Sequence, residues 1–124
     1  MLLKLCSAVA VITLVSAPLA LAEGDAQAGE ATFKKTCALC HTLEEGKNKI
    51  GPSLHGVVGR HSASIANFQY SEAMKTADKT WDASTLDQYL TNPRALVPNT
   101  KMIFPGLKSE QDRQNVIQYL ASQN

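Results

Sequence analysis

A chain of 124 residues has room for one domain, and a formal net charge of +1 with 44% apolar residues describes a folded globular protein. No block of like charge marks a nucleic-acid-binding tail, which sets that class of function aside.

The first 22 residues read as a cleaved secretory leader. Lys4 supplies the positive start, Leu5 to Val15 is apolar except for Ser7 and Thr13, and Pro18 then ends any helix. Ala20-Leu21-Ala22 is the small-x-small pattern that a signal peptidase cuts, predicting a mature chain of residues 23–124. The alternative, a retained anchor, has an apolar run at the short end for crossing a bilayer. Cleavage removes Lys4 and Cys6, leaving basic and acidic side chains in balance and two cysteines. Attraction to a partner must then come from where charges sit, not from their sum. A small secreted domain without a second cysteine pair needs another element to organise its core.

The mature chain reads as helices joined by long, Gly/Pro-punctuated loops. From Asp25 to Cys37, Ala28, Gly29, Thr32 and Phe33 share one face, which predicts an amphipathic helix with Asp25 as its N-cap. From Thr42 to Asn67 glycines and Pro52 recur without helical period, predicting loop. Ser71 caps a short helix to about Thr76. Asp82 or Ser84 starts another, with Leu86, Tyr89 and Leu90 on one face, stopped at Asn92-Pro93. Ser109 caps the last helix, whose Val116, Ile117, Tyr119 and Leu120 pack against the first. Strand alternation never runs for a useful length, so the fold class is all-α. Loops this long in a small domain imply that they wrap something.

Cys37-Ala38-Leu39-Cys40-His41 is the C-x-x-C-H signature of covalent haem attachment. Two thiols three positions apart lie on one side of a helical turn, within reach of two vinyl groups of one porphyrin. His41 then sits under the ring and can offer a neutral nitrogen to the iron. A thioredoxin-like pair would need a βαβ context. A zinc site would need two further ligands, and only His55 and His61 remain. A simple disulfide leaves the adjacent histidine without a role.

Met102 stands in a loop bounded by Pro98, Pro105 and Gly106, from which its sulfur can reach a buried metal as sixth ligand. Met74, in the short helix, reads as a packing residue. A ligating histidine donates its other ring N–H to a carbonyl or carboxylate, and the stiff Pro52 offers a candidate carbonyl.

The mature chain resembles the class I cytochromes c, in the mitochondrial-like branch that has bacterial periplasmic members. The resemblance rests on Gly29 and Phe33 before the C-x-x-C-H motif, Gly51-Pro52-Ser53-Leu54-His55-Gly56, Gly59-Arg60, Tyr70 and Trp81. It continues through Tyr89-Leu90-Thr91-Asn92-Pro93, Thr100-Lys101-Met102-Ile103-Phe104 and Tyr119-Leu120. It implies the small cytochrome c fold, with its terminal helices crossing at Gly29, and one haem c attached through Cys37 and Cys40. It also implies His41 and Met102 as axial ligands and Pro52 as the carbonyl partner of His41. Tyr70 and Trp81 would bond a haem propionate with Arg60 close by, while Tyr89 and Thr100 would lie near the Met102 side of the ring. Met74 departs from the family pattern, where an asparagine is usual, as does Asn99, where a glycine is usual. Ala95 and Ser109 thin the basic ring, leaving Lys34, Lys35, Lys47, Lys49, Arg94, Lys101 and Lys108.

The implied function is a monomeric, diffusible electron carrier of the bacterial periplasm, not an enzyme. Its partners would be redox proteins such as a cytochrome bc1-type donor and an oxidase or reductase acceptor. A haem peroxidase would need an open iron position and a placed acid or base, and is the runner-up with a dedicated acceptor of one dehydrogenase.

Overall fold

Asp25 opens the first helix by accepting hydrogen bonds on its side chain from the backbone N–H groups of Gln27 (2.8 Å) and Ala28 (3.3 Å). In the computed structural model the described residues are 24–124, so the predicted leader at 1–22 lies outside them. Five helices are described: α1 (Ala26–Thr36), α2 (Glu72–Thr76), α3 (Ala83–Thr91), α4 (Pro93–Leu96) and α5 (Glu110–Ala121). Among the described residues the one extended pairing is an isolated antiparallel bridge between His61 and Thr80.

Each helix starts on a side-chain cap, which supplies an acceptor to an otherwise orphaned N–H. Ser71 caps α2, Asp82 caps α3 and Ser109 caps α5. At Asn92-Pro93 the outcome differs from a plain stop. Asn92 is extended (φ −158°), as a residue before proline prefers, but its side chain caps α4 and Pro93 is that helix's first residue. Proline suits a first helical position because its missing N–H is not needed there. The same dipeptide therefore ends one helix and begins the next.

The core lies where α1 crosses α5. Gly29 is buried at the crossing, and a Cβ there would run into the backbone carbonyl of Asn115. Only glycine lets the two backbones approach so closely. Beside the crossing, Asn115 Oδ1 accepts from the N–H of Asp25 at 2.8 Å, and the rings of Phe33 and Tyr119 meet at 5.7 Å. Val116, Ile117 and Leu120 are buried with Leu86, Tyr89 and Leu90 of α3. Met74 of α2 packs against this cluster, as do Leu54, Met102 and Phe104 from the connecting segments.

The segment between His61 and Thr80 closes at its neck. Ser62 N–H donates to the Lys79 carbonyl (2.7 Å), and Lys79 N–H donates to Ser62 Oγ (2.9 Å). His61 caps this neck, with Nε2 2.9 Å from Asp78 Oδ1 and Nδ1 2.9 Å from the Ser62 carbonyl. Both partners are acceptors, so only the doubly protonated ring satisfies both. The hydrogen bond to Asp78, then that to Ser62, raises the His61 pKa above its ordinary 6.5. A raised histidine contributes stability fully below the unfolded value and loses it as pH rises through the folded value. Asp78→Asn is therefore expected to lower Tm slightly just below pH 6.5 and to match the parent chain at alkaline pH. Thermal unfolding of both chains across that window checks it, and an equal deficit at alkaline pH would remove the charge pair from the account.

Candidate haem site

Cys37 caps the C-terminus of α1, its N–H donating to the Phe33 carbonyl at 2.8 Å. The N–H groups of Cys40 (3.1 Å) and His41 (3.0 Å) then both return to the Cys37 carbonyl. This tight turn brings both thiols and the imidazole to one cavity, and both thiols are free. The cavity measures about 530 Å³, within the range of cofactor sites.

His41 is fixed from one side. Its Nδ1 lies 2.7 Å from the Pro52 carbonyl and donates to it, which leaves Nε2 with its lone pair. A Cβ on Gly51 would overlap the His41 ring, so a glycine is required just before the proline that supplies the acceptor. Burial lowers the His41 pKa despite the opposing bond to Pro52, with smaller pushes from Arg60 and Lys49. The ring is held neutral, the form that binds iron.

Met102 lines the same cavity, half-buried, on the loop between α4 and α5. Thr100 stands two residues before it. Its N–H donates to the Val97 carbonyl at 3.0 Å, and its hydroxyl lies 3.0 Å from the hydroxyl of Tyr89. Burial raises the Tyr89 pKa, keeping the phenol neutral. Thr100 itself does not line the cavity but reaches it through Tyr89. Met74 lines the cavity as well, so two thioethers face one space.

Arg60, Tyr70 and Trp81 form a polar part of the wall. Arg60 Nη1 donates to the His55 carbonyl (2.9 Å), and the Arg60 carbonyl accepts from Trp81 N–H (2.8 Å). The Tyr70 oxygen accepts from Ile65 N–H at 3.3 Å, leaving its own O–H to donate. Among the described residues no aspartate or glutamate lines the cavity, so the half-buried guanidinium finds no counter-charge from them there. The donor set fits an apolar macrocycle tethered by two thiols, coordinated by nitrogen or sulfur, and carrying anionic groups that pair with Arg60.

All the predicted site residues except Thr100 therefore line one cavity. Two features escaped the sequence reading. Phe68 joins the wall, edge-on to Tyr70 with ring centroids 4.9 Å apart. Lys101 lies over Phe68 at 5.3 Å and donates to the Gln69 carbonyl, tying the methionine loop to the 62–79 segment. No local sequence signal announces a bond between residues 32 apart.

Comparison with known proteins agrees with this geometry. The Cytochrome c family model matches residues 26–124. A cytochrome c of Stellaria longipes is 50% identical over 99 residues, covering 79% of this chain and 92% of the relative. Cytochrome c2 of Rhodomicrobium vannielii is 49% identical over 106 residues, covering 85% and 84%. The c-type cytochrome cy of Rhodobacter capsulatus is 53% identical over 97 residues, covering 78% of this chain and 48% of the relative. The chain thus belongs to the cytochrome c family, electron carriers rather than enzymes, with one covalently bound haem c.

Proposed function

We propose that this chain carries single electrons in the bacterial periplasm, with haem attached through Cys37 and Cys40 and its iron held by His41 and Met102. The gathering of both thiols, the His41 ring fixed by Pro52, and Met102 in one cavity supports this reading most strongly. The haem, when bound, supplies an iron that cycles between ferrous and ferric states. The chain's own residues do the rest. Pro52 fixes the ring of His41 and makes it a better donor. The apolar wall excludes water, which favours the less charged ferrous state. Arg60, Tyr70 and Trp81 receive the propionates, and Tyr89 with Thr100 steadies the loop that presents Met102. The leader at 1–22 directs export and is removed, and the mature chain acts as a monomer.

Electrons cross at the cavity mouth. The large apolar side chains most exposed among the described residues are Leu39 (81%), Ile50 (77%) and Ile103 (93%). Ile50 and Ile103 line the cavity, and Leu39 lies between the two cysteines. Lysines nearby bond backbone carbonyls: Lys49 to Ala38 and Lys101 to Gln69. By contrast Lys34, Lys47 and Lys75 pair with Glu30, Glu44 and Glu72. The positive charge at the mouth is thus uncompensated, and it favours a partner with an acidic rim and an apolar centre. A cytochrome bc1-type donor and an oxidase or reductase acceptor have this role.

Stopped-flow reduction of the ferric holoprotein by a bc1-type complex tests the docking face. The second-order rate is expected to fall with rising salt, and to fall on the order of tenfold in Ile103→Ser with Tm unchanged, as for a contact at the centre of an interface. A rate indifferent to both would overturn this face.

A further inference from the structure

Met102 lies on a span with few bonds of its own. Between Thr100 and Leu107, among the described residues, the span makes one internal backbone–backbone hydrogen bond, from Phe104 N–H to the Met102 carbonyl (3.1 Å), and Met102 N–H donates to Thr100 Oγ1 at 3.4 Å. The sulfur's position therefore depends on where the two ends of the span are held. One end is held by Thr100 against Tyr89, with Lys101 on the Gln69 carbonyl beside it.

The other end is held from behind the cavity. Leu107 N–H donates to the Leu90 carbonyl at 2.7 Å. Gly106 (φ 104°) presses so close to α3 that a Cβ there would strike the Thr91 carbonyl. Arg113 of α5 completes the anchor, although it does not line the cavity. It is buried, with Nε donating to Asp87 Oδ1 (2.7 Å) and Nη1 donating to the carbonyls of Leu107 (2.8 Å) and Lys108 (3.1 Å). One planar fork thus joins α3, α5 and the return limb of the methionine loop. A buried cation costs heavily unless it is paired and hydrogen-bonded, and here Asp87 supplies the counter-charge while two loop carbonyls take further donors.

We propose that Arg113 is a positioning residue for Met102: its grip on the Leu107 and Lys108 carbonyls sets how readily the sulfur yields the iron to another ligand. This rests on the assignment of Met102 as the iron's ligand. Freeing that end lets the span from Lys101 to Leu107 swing as a flap, while the Thr100 end stays pinned. Arg113→Lys keeps the charge but cannot reach Asp87 and two carbonyls with one ammonium.

Imidazole titration of the ferric holoprotein, followed by absorption, reads the loop's opening directly, since added imidazole binds only when the sulfur has left. Arg113→Gln is expected to bind imidazole on the order of tenfold more tightly than the parent chain, the factor that 1.4 kcal/mol commands. Arg113→Lys should fall between the two. Asp87→Asn leaves the carbonyl bonds in place, should bind imidazole at most slightly more tightly, and keeps the comparison open if Arg113→Gln fails to mature. Ile117→Ala, a buried α5 change away from the cavity, should lower Tm without changing imidazole affinity. A lowered Tm with parental imidazole affinity in both Arg113 variants would overturn the proposal, as would Asp87→Asn loosening the loop as much as Arg113→Lys. Absence of any sulfur-to-iron band in the parent chain would instead overturn the ligand assignment.

Discussion

Met102→Ala is expected to lower the midpoint potential by on the order of 0.1–0.3 V, within the ~0.8 V that axial ligands command. It is also expected to give the iron an open position. A thioether favours ferrous iron more than water or a nitrogen donor does, so its loss stabilises the ferric state. The half-buried Met102 faces the cavity from a loop steadied at one end through Thr100 and Lys101 and at the other through Arg113. Opening the iron should also raise peroxide turnover from a very low parental level, because small ligands gain access to the metal. Potentiometric titration and a peroxide assay on matched samples check both. Met74 makes the experiment sharper, since it lines the same cavity. An unchanged potential with the sulfur-to-iron band retained would move the ligand role from Met102 to Met74.

Gly29→Ala is expected to destabilise the holoprotein, although alanine is the better helix former. On an open helix surface the exchange would gain about 1 kcal/mol. Here the new methyl meets the Asn115 carbonyl, a backbone atom that cannot swing aside unless α5 moves. Overpacking of this kind costs about 1–3 kcal/mol, and a domain of this size loses roughly 4–8 °C of Tm for each kcal/mol. Strain should therefore exceed propensity, and Tm should fall by several degrees. Parting α1 from α5 also disturbs the seat of Phe33, one turn before Cys37, so the yield of matured holoprotein should fall with it. A rise in Tm would mean that the helices do not cross at Gly29.

These expectations separate what the amino-acid order states locally from what only folding brings together. Helix starts were legible because a cap is a conversation between neighbours: Asp25, Ser71, Asp82 and Ser109 each bond an N–H within three residues. The attachment motif was legible for the same reason, being a single turn in which chemistry and spacing coincide. Asn92-Pro93 stops α3 as expected, but the helix it begins went unread, because a proline that ends one helix is also well suited to begin another. The resemblance supplied Arg60, Tyr70, Trp81, Tyr89 and Thr100, which composition and period alone would have left as core or surface residues.

What remained hidden is long-range. Arg113 bonds Asp87 from 26 residues away, and its other two bonds go to backbone carbonyls that carry no sequence signature. Gly51 reads as a turn residue until the His41 ring is seen packed against the place where a side chain would be. Lys101 reads as one more surface lysine until its ammonium is found on Gln69 and over Phe68. Each of these holds the His41 ring or the Met102 loop from a distant stretch of the chain.

The far-red absorption spectrum of the ferric holoprotein tests the central claim most directly. A weak sulfur-to-iron charge-transfer band, present in the parent chain and absent from Met102→Ala, is the result predicted for iron held by His41 and Met102. A parent spectrum without that band would contradict this ligation and, with it, the closed iron site of the carrier.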